Sequence, residues 1–467
     1  MRKNTKIILF IIVFGFFLRE LSLVAIMPLF SGQDEPRHYN TVQILNESEH
    51  TWEVTKKSKE DKEKGQFETY NFSEEIRKTA QLAQTEQNPR EYYKKMNFSE
   101  SSDGINEQEI ISQNDPAINK FYPPDIVGGT RAYHRTASAI EHLFENENIL
   151  FRFFSVRIFS ILLGTISVGL CFFIAKNVGF TEKESLLITA ITSFQPKLSV
   201  YFSNINYDAL VILSFTAFAL AGVMSIKNGP SWKNFTALLA TSLLATLTKG
   251  IGIILFFLLF YLILFHFYKK LTSLKKHIPV SIWISIFGIA MITLGFLSYF
   301  MQLTPNFPSL FDYLLNSIPK IPSSLENYWG DLVWSRNDYS SHLIRLIWLA
   351  EIVSFIGILF LFFKKNTTFF VKKEFLLFFI LLIATLQASI RFYDWKIFSL
   401  TGSLELGTPG RYFLPTIIPH LILIFSGLGV IAEKRSHLTT ILTSGLILMS
   451  SIFSHLLLNS IIPRYYF

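Results

Sequence analysis

The stretch IILFIIVFGFFLRELSLVAIMPLF, residues 7–30, decides the class of this protein, because it is apolar over the length of a membrane crossing. A transmembrane helix needs about 20 predominantly apolar residues. The next stretch, SGQDEPRHYN at residues 31–40, carries two adjacent carboxylates. The sequence therefore places Asp34 and Glu35 at a membrane surface, where they either form a solvated helix cap or belong to a catalytic site at the lipid boundary.

The composition of the whole chain supports a membrane protein. Of the 467 residues, 50% are hydrophobic and only 17% are charged, and 47 are phenylalanine. This is too apolar for one soluble domain of ordinary composition. The single cysteine, Cys171, lies in an apolar run, so an intrachain disulfide is excluded and nothing indicates a thiolate metal site.

Further apolar stretches follow along the chain, and the fold class predicted from them is an all-α polytopic membrane protein of about eleven transmembrane helices with a large extracytoplasmic first loop. The fifth and sixth stretches are short and meet at TKGIG, so they form either two crossings or broken helices. The predicted spans cover residues 7–30, 153–175, 184–203, 208–226, 234–248, 251–268, 279–300, 342–363, 374–393, 411–432 and 438–460. We expect three regions: the first span to residue 30, a loop module over 31–152, and a multi-span domain over 153–467.

Charge is segregated along the chain. The net charge is +8, but residues 31–150 hold 22 of the 35 acidic and 14 of the 43 basic residues, a net of −8, which leaves +16 for the rest. Lysine and arginine cluster in alternate short loops, which the positive-inside rule assigns to the cytoplasm. We therefore expect a multi-pass protein of the cytoplasmic (inner) membrane, with the amino terminus in the cytoplasm and the active site outside it. The same distribution argues against nucleic-acid binding.

The acidic pair stands in a compact group of charged side chains. Asp34, Glu35, Arg37 and His38 fall within five residues beside the first span. Such a group is able to hold a general base and to attract a phosphate. The alternative is an interface turn in which Gly32 and Pro36 end the helix and the acids are only solvated.

Polar residues also gather where other spans meet the outer face. Tyr122 and Pro123 lie in KFYPPDIVGGTRAYH, residues 120–134, where two prolines return the first loop to the membrane or form a plain re-entry turn. Lys197 follows Pro196 inside a span, where it faces a polar partner or snorkels to the surface. Asn206 and Asp208 lie in NINYDAL, and Asp208 is alternatively the N-cap of the fourth span.

Two cations and an aromatic loop complete the predicted outer-face site. Lys249 in LTKGIG is a cation on the side where few are expected, and Arg411 in PGRYFLP opens a span beside Tyr412. Arginine at a helix start opposes the macrodipole, so it favours an anion such as a lipid phosphate. Trp329, in ENYWGDLVW, belongs either to an interfacial aromatic belt or to a surface that stacks on sugar rings.

The order of these motifs resembles one family of membrane enzymes. DEPRHYN, YPP, NINYDAL, LTKG and PGRYFLP follow one another on the predicted outer face, and this series resembles the GT-C superfamily of integral-membrane glycosyltransferases. Within it the chain is similar to the protein mannosyltransferase and aminoarabinose transferase group, and closest to a poorly characterised bacterial branch. The first loop is longer than this resemblance leads us to expect.

The resemblance implies transfer of a sugar from a polyprenyl-phosphate donor to an extracytoplasmic glycan, lipid or protein acceptor. It implies that Asp34 and Glu35 are catalytic and that Lys249 and Arg411 bind the donor phosphate. Arg37 and His38 are assigned to support that phosphate site. The substrate cavity is assigned Tyr122, Pro123, Asn206, Asp208, Trp329 and Tyr412.

Alternatives to a glycosyltransferase follow from the same pattern. A transporter or lipid flippase would also place charges in its spans, but it predicts similarly interrupted helices in two halves of the chain, and no such repeat is visible in the sequence. A non-catalytic scaffold would leave the clustering of polar motifs on one face unexplained. No cofactor is indicated by a sequence motif, and a divalent metal that bridges a carboxylate and the donor phosphate is left open.

Overall fold

The computed structural model describes residues 1–32, 34–47, 75–76, 79, 131–274, 308–330, 341–363, 370–404 and 409–462. The described elements are all helical, which confirms the all-α class. The first half of the chain forms helices α1 Lys3–Ile26, α2 Glu35–Glu47, α3 Ala132–His142, α4 Ile149–Val178, α5 Glu182–Ser193, α6 Pro196–Phe202, α7 Asp208–Asn228, α8 Trp232–Thr248 and, after a 3₁₀ turn at Gly250–Ile253, α9 Ile254–Leu274.

The second half of the chain continues the helical pattern. Its helices are α10 Pro308–Ser317, α11 Ile321–Trp329, α12 Ser341–Phe363, α13 Lys373–Thr401, α14 Ile417–Ala432 and α15 Arg435–Leu456. A 3₁₀ turn at Ile318–Lys320 joins α10 to α11, a 3₁₀ segment at Gly410–Thr416 leads into α14, and a π turn at Leu457–Ile461 follows α15.

Eight helical segments within the described residues have the length and apolar composition of membrane spans, so the chain is polytopic. They are Lys3–Ile26, Ile149–Val178, Asp208–Asn228, Gly250–Lys269, Arg345–Phe363, Lys373–Thr401, Gly410–Ala432 and Arg435–Asn459. The predicted span 279–300 lies outside the described residues. The full count of eleven crossings stays a prediction.

One of the predicted spans is interrupted. The single span predicted at 184–203 is wrong: α5 ends at Ser193 and α6 begins at Pro196, where the Gln195 side chain accepts from the Leu198 N–H at 2.6 Å. Proline lacks the N–H that would continue the preceding helix and fits a first helical position, so the chain breaks here. The short stretch predicted at 234–248 forms helix α8, which has 17 residues and ends at Thr248 as predicted.

The helices pack around a core that α4 and α7 share. Helix α7 packs against both α4 and α8, and α1 packs on α4 and α5. Inside this bundle Arg19 Nη2 lies 2.5 Å from Glu20 Oε1 and 2.9 Å from the Ser199 hydroxyl, and Glu20 is fully buried. The two charged groups of α1, Arg19 and Glu20, are therefore paired with each other inside the bundle. Unpaired charges are costly at membrane depth.

Small residues allow α12 and α14 to approach closely. A Cβ on Gly357 would lie 2.2 Å from the carbonyl oxygen of Gly427, and one on Gly427 would lie 2.1 Å from the carbonyl oxygen of Ser354. Membrane helices commonly pack through such small residues, because apolar area alone gives no preference for helix over lipid. This contact fixes α14, whose leading 3₁₀ segment carries Arg411.

The two ends of the first loop are brought together on α4. Helix α2 packs against α3, and Tyr39 donates to Glu141 Oε1 at 2.9 Å. Arg152 on α4 forms buried ion pairs with Glu141, at 2.9 Å, and with Glu75. The Tyr39 hydroxyl on α2, Glu141 on α3, Arg152 on α4 and Glu75 therefore join the two ends of the first loop.

Candidate functional site

Asp34 stands in the turn between α1 and α2. Its backbone is left-handed, with φ of 57°, and its carbonyl accepts from the His38 N–H at 3.0 Å. A residue other than glycine is uncommon in this conformation, and such positions gather at functional sites. The side chain is 29% exposed, and Oδ1 lies 4.0 Å from Arg37 Nη1. Asp34 thus presents an accessible carboxylate beside a cation.

Glu35, the next residue, has a different environment. It is fully buried, and its two oxygens accept from Arg157 Nε and Nη2, each at 2.8 Å. The backbone N–H groups of Gly32 and Ile205 also donate to it, each at 3.0 Å. Arg157 donates in addition to the carbonyls of Met27 and Pro28, just after α1. This geometry suits Glu35 for holding the turn that presents Asp34.

Asp208 and Lys249 form an ion pair. Lys249 Nζ lies 2.8 Å from Asp208 Oδ1, and the two side chains are 18% and 12% exposed. The Asn206 side chain accepts from the Asp208 N–H at 2.8 Å. The alternative of Asp208 as an N-cap is wrong, because Tyr207 is the cap residue and Asp208 begins α7. The Asp208 carboxylate is therefore stabilised both by the positive end of the α7 helix dipole and by the Lys249 ammonium group.

Arg411 lies at the start of the 3₁₀ segment that precedes α14. Its backbone N–H donates to Asn327 Oδ1 at 3.0 Å, and Nη2 donates to the Tyr412 hydroxyl at 3.1 Å. Nη1 is buried with no hydrogen-bond partner within the described ranges. A buried donor without a partner costs about 1–3 kcal/mol, or more when it is charged. The guanidinium is therefore suited to receive an anion.

The structure brings the two predicted donor-binding cations together at one ring. The Tyr412 ring centre lies 5.1 Å from Lys249 Nζ and 4.9 Å from the Arg411 guanidinium carbon. Arg411 also interacts electrostatically with Asp34. Lys249, Arg411 and Asp34 thus form one cluster with Tyr412, although they are widely separated in sequence.

The other predicted site residues are placed in different ways. Asn206 supports Asp208 in this cluster, whereas Tyr122 and Pro123 lie outside the described residues. Trp329 is 1% exposed, and its indole N–H donates to Glu351 Oε1 at 3.1 Å. A ring buried in this way is suited to hold α11 against α12. It is not available to stack on a sugar or to form part of an aromatic belt at the membrane surface.

A buried histidine pair adjoins the cluster. His38 Nδ1 lies 3.0 Å from His134 Nε2, and both rings meet the Tyr207 ring at steep angles. Burial, reinforced by the charge of Arg131, lowers the pKa of His134 to about 3. Burial, the adjacent His134 ring and the cations Arg37, Lys249 and Arg131 lower the pKa of His38 well below its usual value. Both imidazoles are therefore neutral at pH 7, and each has one donor nitrogen and one acceptor nitrogen.

The sequence analysis assigned His38 to the phosphate site and did not connect it with His134. His38 and His134 lie 96 residues apart at the two ends of the first loop. The packing of α2 against α3 brings them into contact. The available signal was that His38 lies in the motif at residues 31–40 and His134 in the motif at residues 120–134, at the two ends of the loop. No local spacing links the two histidines.

The described residues contain no group of three or more His, Cys, Asp and Glu side chains able to hold a metal ion. Of the two carboxylates in the cluster, Asp208 is already paired with Lys249. The described residues therefore do not provide a metal site made of protein ligands alone.

Comparison with known families supports the resemblance. Residues 149–289 match the model of a GT-C superfamily family described as dolichyl-phosphate-mannose-protein mannosyltransferase. No curated protein and no solved structure matches the chain significantly. The match covers helices α4 to α9, including Asp208 and Lys249, and it supports a membrane glycosyltransferase of the GT-C type.

Proposed function

We propose that this protein transfers a sugar from a polyprenyl-phosphate donor to an acceptor on the extracytoplasmic side of the membrane. The observation that carries the proposal is the grouping of Lys249 and the Arg411 guanidinium on Tyr412, within electrostatic reach of the accessible Asp34. Within the described part of the chain, one buried N–H group of that guanidinium has no partner. Cations at the end of a membrane span suit a ligand whose tail lies in lipid and whose phosphate lies at the interface.

Asp34 acts as the general base in this mechanism. It removes the proton from an acceptor hydroxyl, whose oxygen attacks the anomeric carbon of the donor sugar. The bond between that carbon and the phosphate oxygen breaks, and its electron pair leaves with the polyprenyl phosphate. A single displacement inverts the anomeric centre. General-base assistance of this kind is worth typically 10²–10⁴-fold in rate.

Arg411 and Lys249 have unequal parts in holding the phosphate. Lys249 is already paired with Asp208, whereas Arg411 has a buried N–H group with no partner among the described residues. Arg411 therefore makes the direct, directional contact, because a planar guanidinium matches phosphate oxygens. Lys249 adds positive charge that stabilises the leaving phosphate as it develops. Because the described residues offer no three-ligand group, no step is assigned to a metal.

The experiment is transfer of labelled sugar from a panel of polyprenyl-phosphate donors by membranes that contain wild type or Asp34→Asn. The substitution keeps the shape of the side chain and removes its charge. We expect Asp34→Asn to reduce kcat by about 10²–10⁴-fold, in line with the loss of a general base. Asp312→Asn on α10 is the matched control, because Asp312 is an exposed acid away from the cluster, and it should transfer at the wild-type rate.

The donor site is tested separately with Arg411→Lys. Lysine keeps the positive charge but cannot make two parallel N–H contacts to a phosphate. We expect the KM for the donor to rise more than kcat falls. Equal transfer by wild type and Asp34→Asn, with equal amounts of protein in the membrane, would contradict the assignment of the base. An unchanged donor KM in Arg411→Lys would contradict the phosphate site.

A further inference from the structure

Helix α10 presents three distinct faces, which the proposed enzyme mechanism does not use. Tyr313 and Ser317 lie on one face and are buried. Asp312 and Asn316 lie on a second face and are exposed. The third face consists of large exposed apolar side chains spaced one helical turn apart: Phe311, Leu314, Leu315 and Ile318, the last in the following 3₁₀ turn.

The buried face fixes where α10 lies. Tyr313 donates to Asp394 Oδ2 at 3.0 Å, and its ring lies 5.9 Å from that of Phe398. Both partners belong to the last turns of α13, a helix of 29 residues. At 1.5 Å per residue α13 is about 43 Å long, against about 30 Å for the hydrocarbon core of a bilayer. Helix α10 therefore packs on the part of α13 that reaches the edge of the membrane.

The side chains of the apolar face are more exposed than is usual for large apolar residues on a helix surrounded by water. Phe311 is 67% exposed and Ile318 is 58% exposed, and Ile321 continues the same exposed surface into α11. The end of α13 on which α10 packs also has exposed side chains at Tyr393 and Leu400. Lys320 is exposed in the turn between α10 and α11. An apolar face with an exposed polar face and a nearby cation is typical of a helix lying in a membrane interface.

We propose that α10 and the Ile318–Lys320 turn form an interfacial anchor, whose apolar face is covered by the lipid of the bilayer. Phe311, Leu315 and Ile318 lie at the boundary of headgroups and acyl chains, and Asp312 and Asn316 face water. The packing of α10 on the end of α13, a helix of membrane-spanning length that also exposes apolar side chains there, selects lipid as the occupant. This proposal does not depend on the proposed enzymatic function.

The anchor is joined directly to the candidate site. Helix α10, the 3₁₀ turn and α11 follow one another without a gap from residue 308 to residue 329. At the far end of this segment, Asn327 accepts from the backbone N–H of Arg411. The depth of α10 in the interface thus sets the position of α11, and α11 contacts the segment that carries the guanidinium.

The test uses single cysteines, because Cys171 is the only native cysteine and it is fully buried. Leu315→Cys and Ile318→Cys are spin-labelled in proteoliposomes, with Asp312→Cys and Asn316→Cys as matched controls on the polar face of the same segment. Power saturation then compares the access of oxygen, which concentrates in lipid, with that of a water-soluble nickel chelate. We expect labels at 315 and 318 to favour oxygen and labels at 312 and 316 to favour nickel.

Two results would overturn the proposal. If the spin labels at 315 and 318 were as accessible to the nickel chelate as the labels at 312 and 316, the apolar face would lie in water. If the labels at 315 and 318 were inaccessible to both oxygen and the nickel chelate, another part of the chain or a second copy of it would cover the face. Variants that elute and melt as the wild type does are used, so each outcome reports on the position of a folded helix.

Discussion

Two adjacent carboxylates with opposite environments define the site at the scale of single residues. Asp34 is partly exposed and held in a left-handed turn, and Glu35 is buried with four donors around its two oxygens. Glu35 and Arg157 together tie the turn to α4 and to the end of α1. The geometry therefore divides the pair into one group available for chemistry and one that holds it in place.

Substitution Glu35→Gln is expected to lower stability. It leaves the buried Arg157 guanidinium without its carboxylate, and breaking a buried ion pair in this way costs about 3–5 kcal/mol. The measurement is thermal unfolding of the purified protein in detergent. Asp34→Asn is the matched control and should change stability by about 0.5 kcal/mol or less, because its carboxylate is partly exposed and its contact with Arg37 is long, at 4.0 Å.

If Glu35→Gln melted at the wild-type temperature, the structural role assigned to Glu35 would be wrong. A variant that was stable but inactive would instead assign Glu35 to the chemistry, as the family resemblance implies.

At the scale of elements, the close approach of α11 to the segment at 410–416 positions Arg411. A Cβ on Gly410 would lie 2.0 Å from the carbonyl oxygen of Ser324 and 2.6 Å from the backbone nitrogen of Tyr328. Tyr328 in turn bonds to His420 at 2.9 Å, and Trp329 bonds to Glu351. Helix α11 is therefore held between the segment that carries Arg411 and helices α12 and α14.

Substitution Gly410→Ala is expected to displace Arg411, because backbone atoms of α11 occupy the space of the new methyl group. Donor KM should rise in a transfer assay. Gly250→Ala is the matched control: Gly250 also adjoins a site cation, Lys249, but a Cβ there would meet no atom within 4 Å. A donor KM that rose equally in both variants, or in neither, would show that this contact does not position the guanidinium.

The histidine pair couples α2 to α3 at the base of the first loop. The folded protein keeps both histidines neutral, since burial lowers the pKa of each. In the unfolded chain each would titrate near 6.5. Between that value and the lower folded pKa, the unfolded state binds more protons, so stability falls as the pH falls.

The free energy of unfolding is therefore expected to decrease as the pH falls from 7 to 5, with a limiting slope of about 1.4 kcal/mol per pH unit for each histidine. Melting temperature against pH measures this. The double variant His38→Gln/His134→Gln should show a shallower dependence, whereas His142→Gln, which removes a side chain that is 64% exposed, should keep the wild-type slope. Equal slopes of melting temperature against pH in all three proteins would exclude the histidine pair as the source of the pH dependence.

At the scale of the whole molecule, charge and span order predict the orientation. The loop between α7 and α8 is expected in the cytoplasm, and the turn between α3 and α4 outside it. Ser231 lies in the first of these and is exposed, and Leu143 lies in the second and is 75% exposed. This orientation puts the cluster around Tyr412 on the outer face.

The orientation is tested by cysteine labelling with an impermeant maleimide in right-side-out vesicles. Leu143→Cys is expected to react at once, and Ser231→Cys only after the vesicles are permeabilised. The wild type is the background control, because its one cysteine is buried. The opposite pattern would place the cluster on the cytoplasmic side and contradict an extracytoplasmic reaction.

Much of the architecture could be predicted from sequence, because an apolar stretch of sufficient length is a local signal. Helix α1 and helix α4 lie where such stretches predict them. The break between α5 and α6 was missed although Pro196 marks it, because the apolar pattern continues across the proline.

What the sequence determined by itself is the class of the protein, the order of its polar motifs and the segregation of its charge, since each depends on residues close together in the chain. Only the tertiary structure decided which carboxylate of the pair is buried, that Asp208 pairs with Lys249 and that His38 meets His134. These contacts join residues 41 to 122 positions apart. Such pairs are selected by the packing of whole helices, because a buried charge or donor is stable only beside the partner that packing supplies.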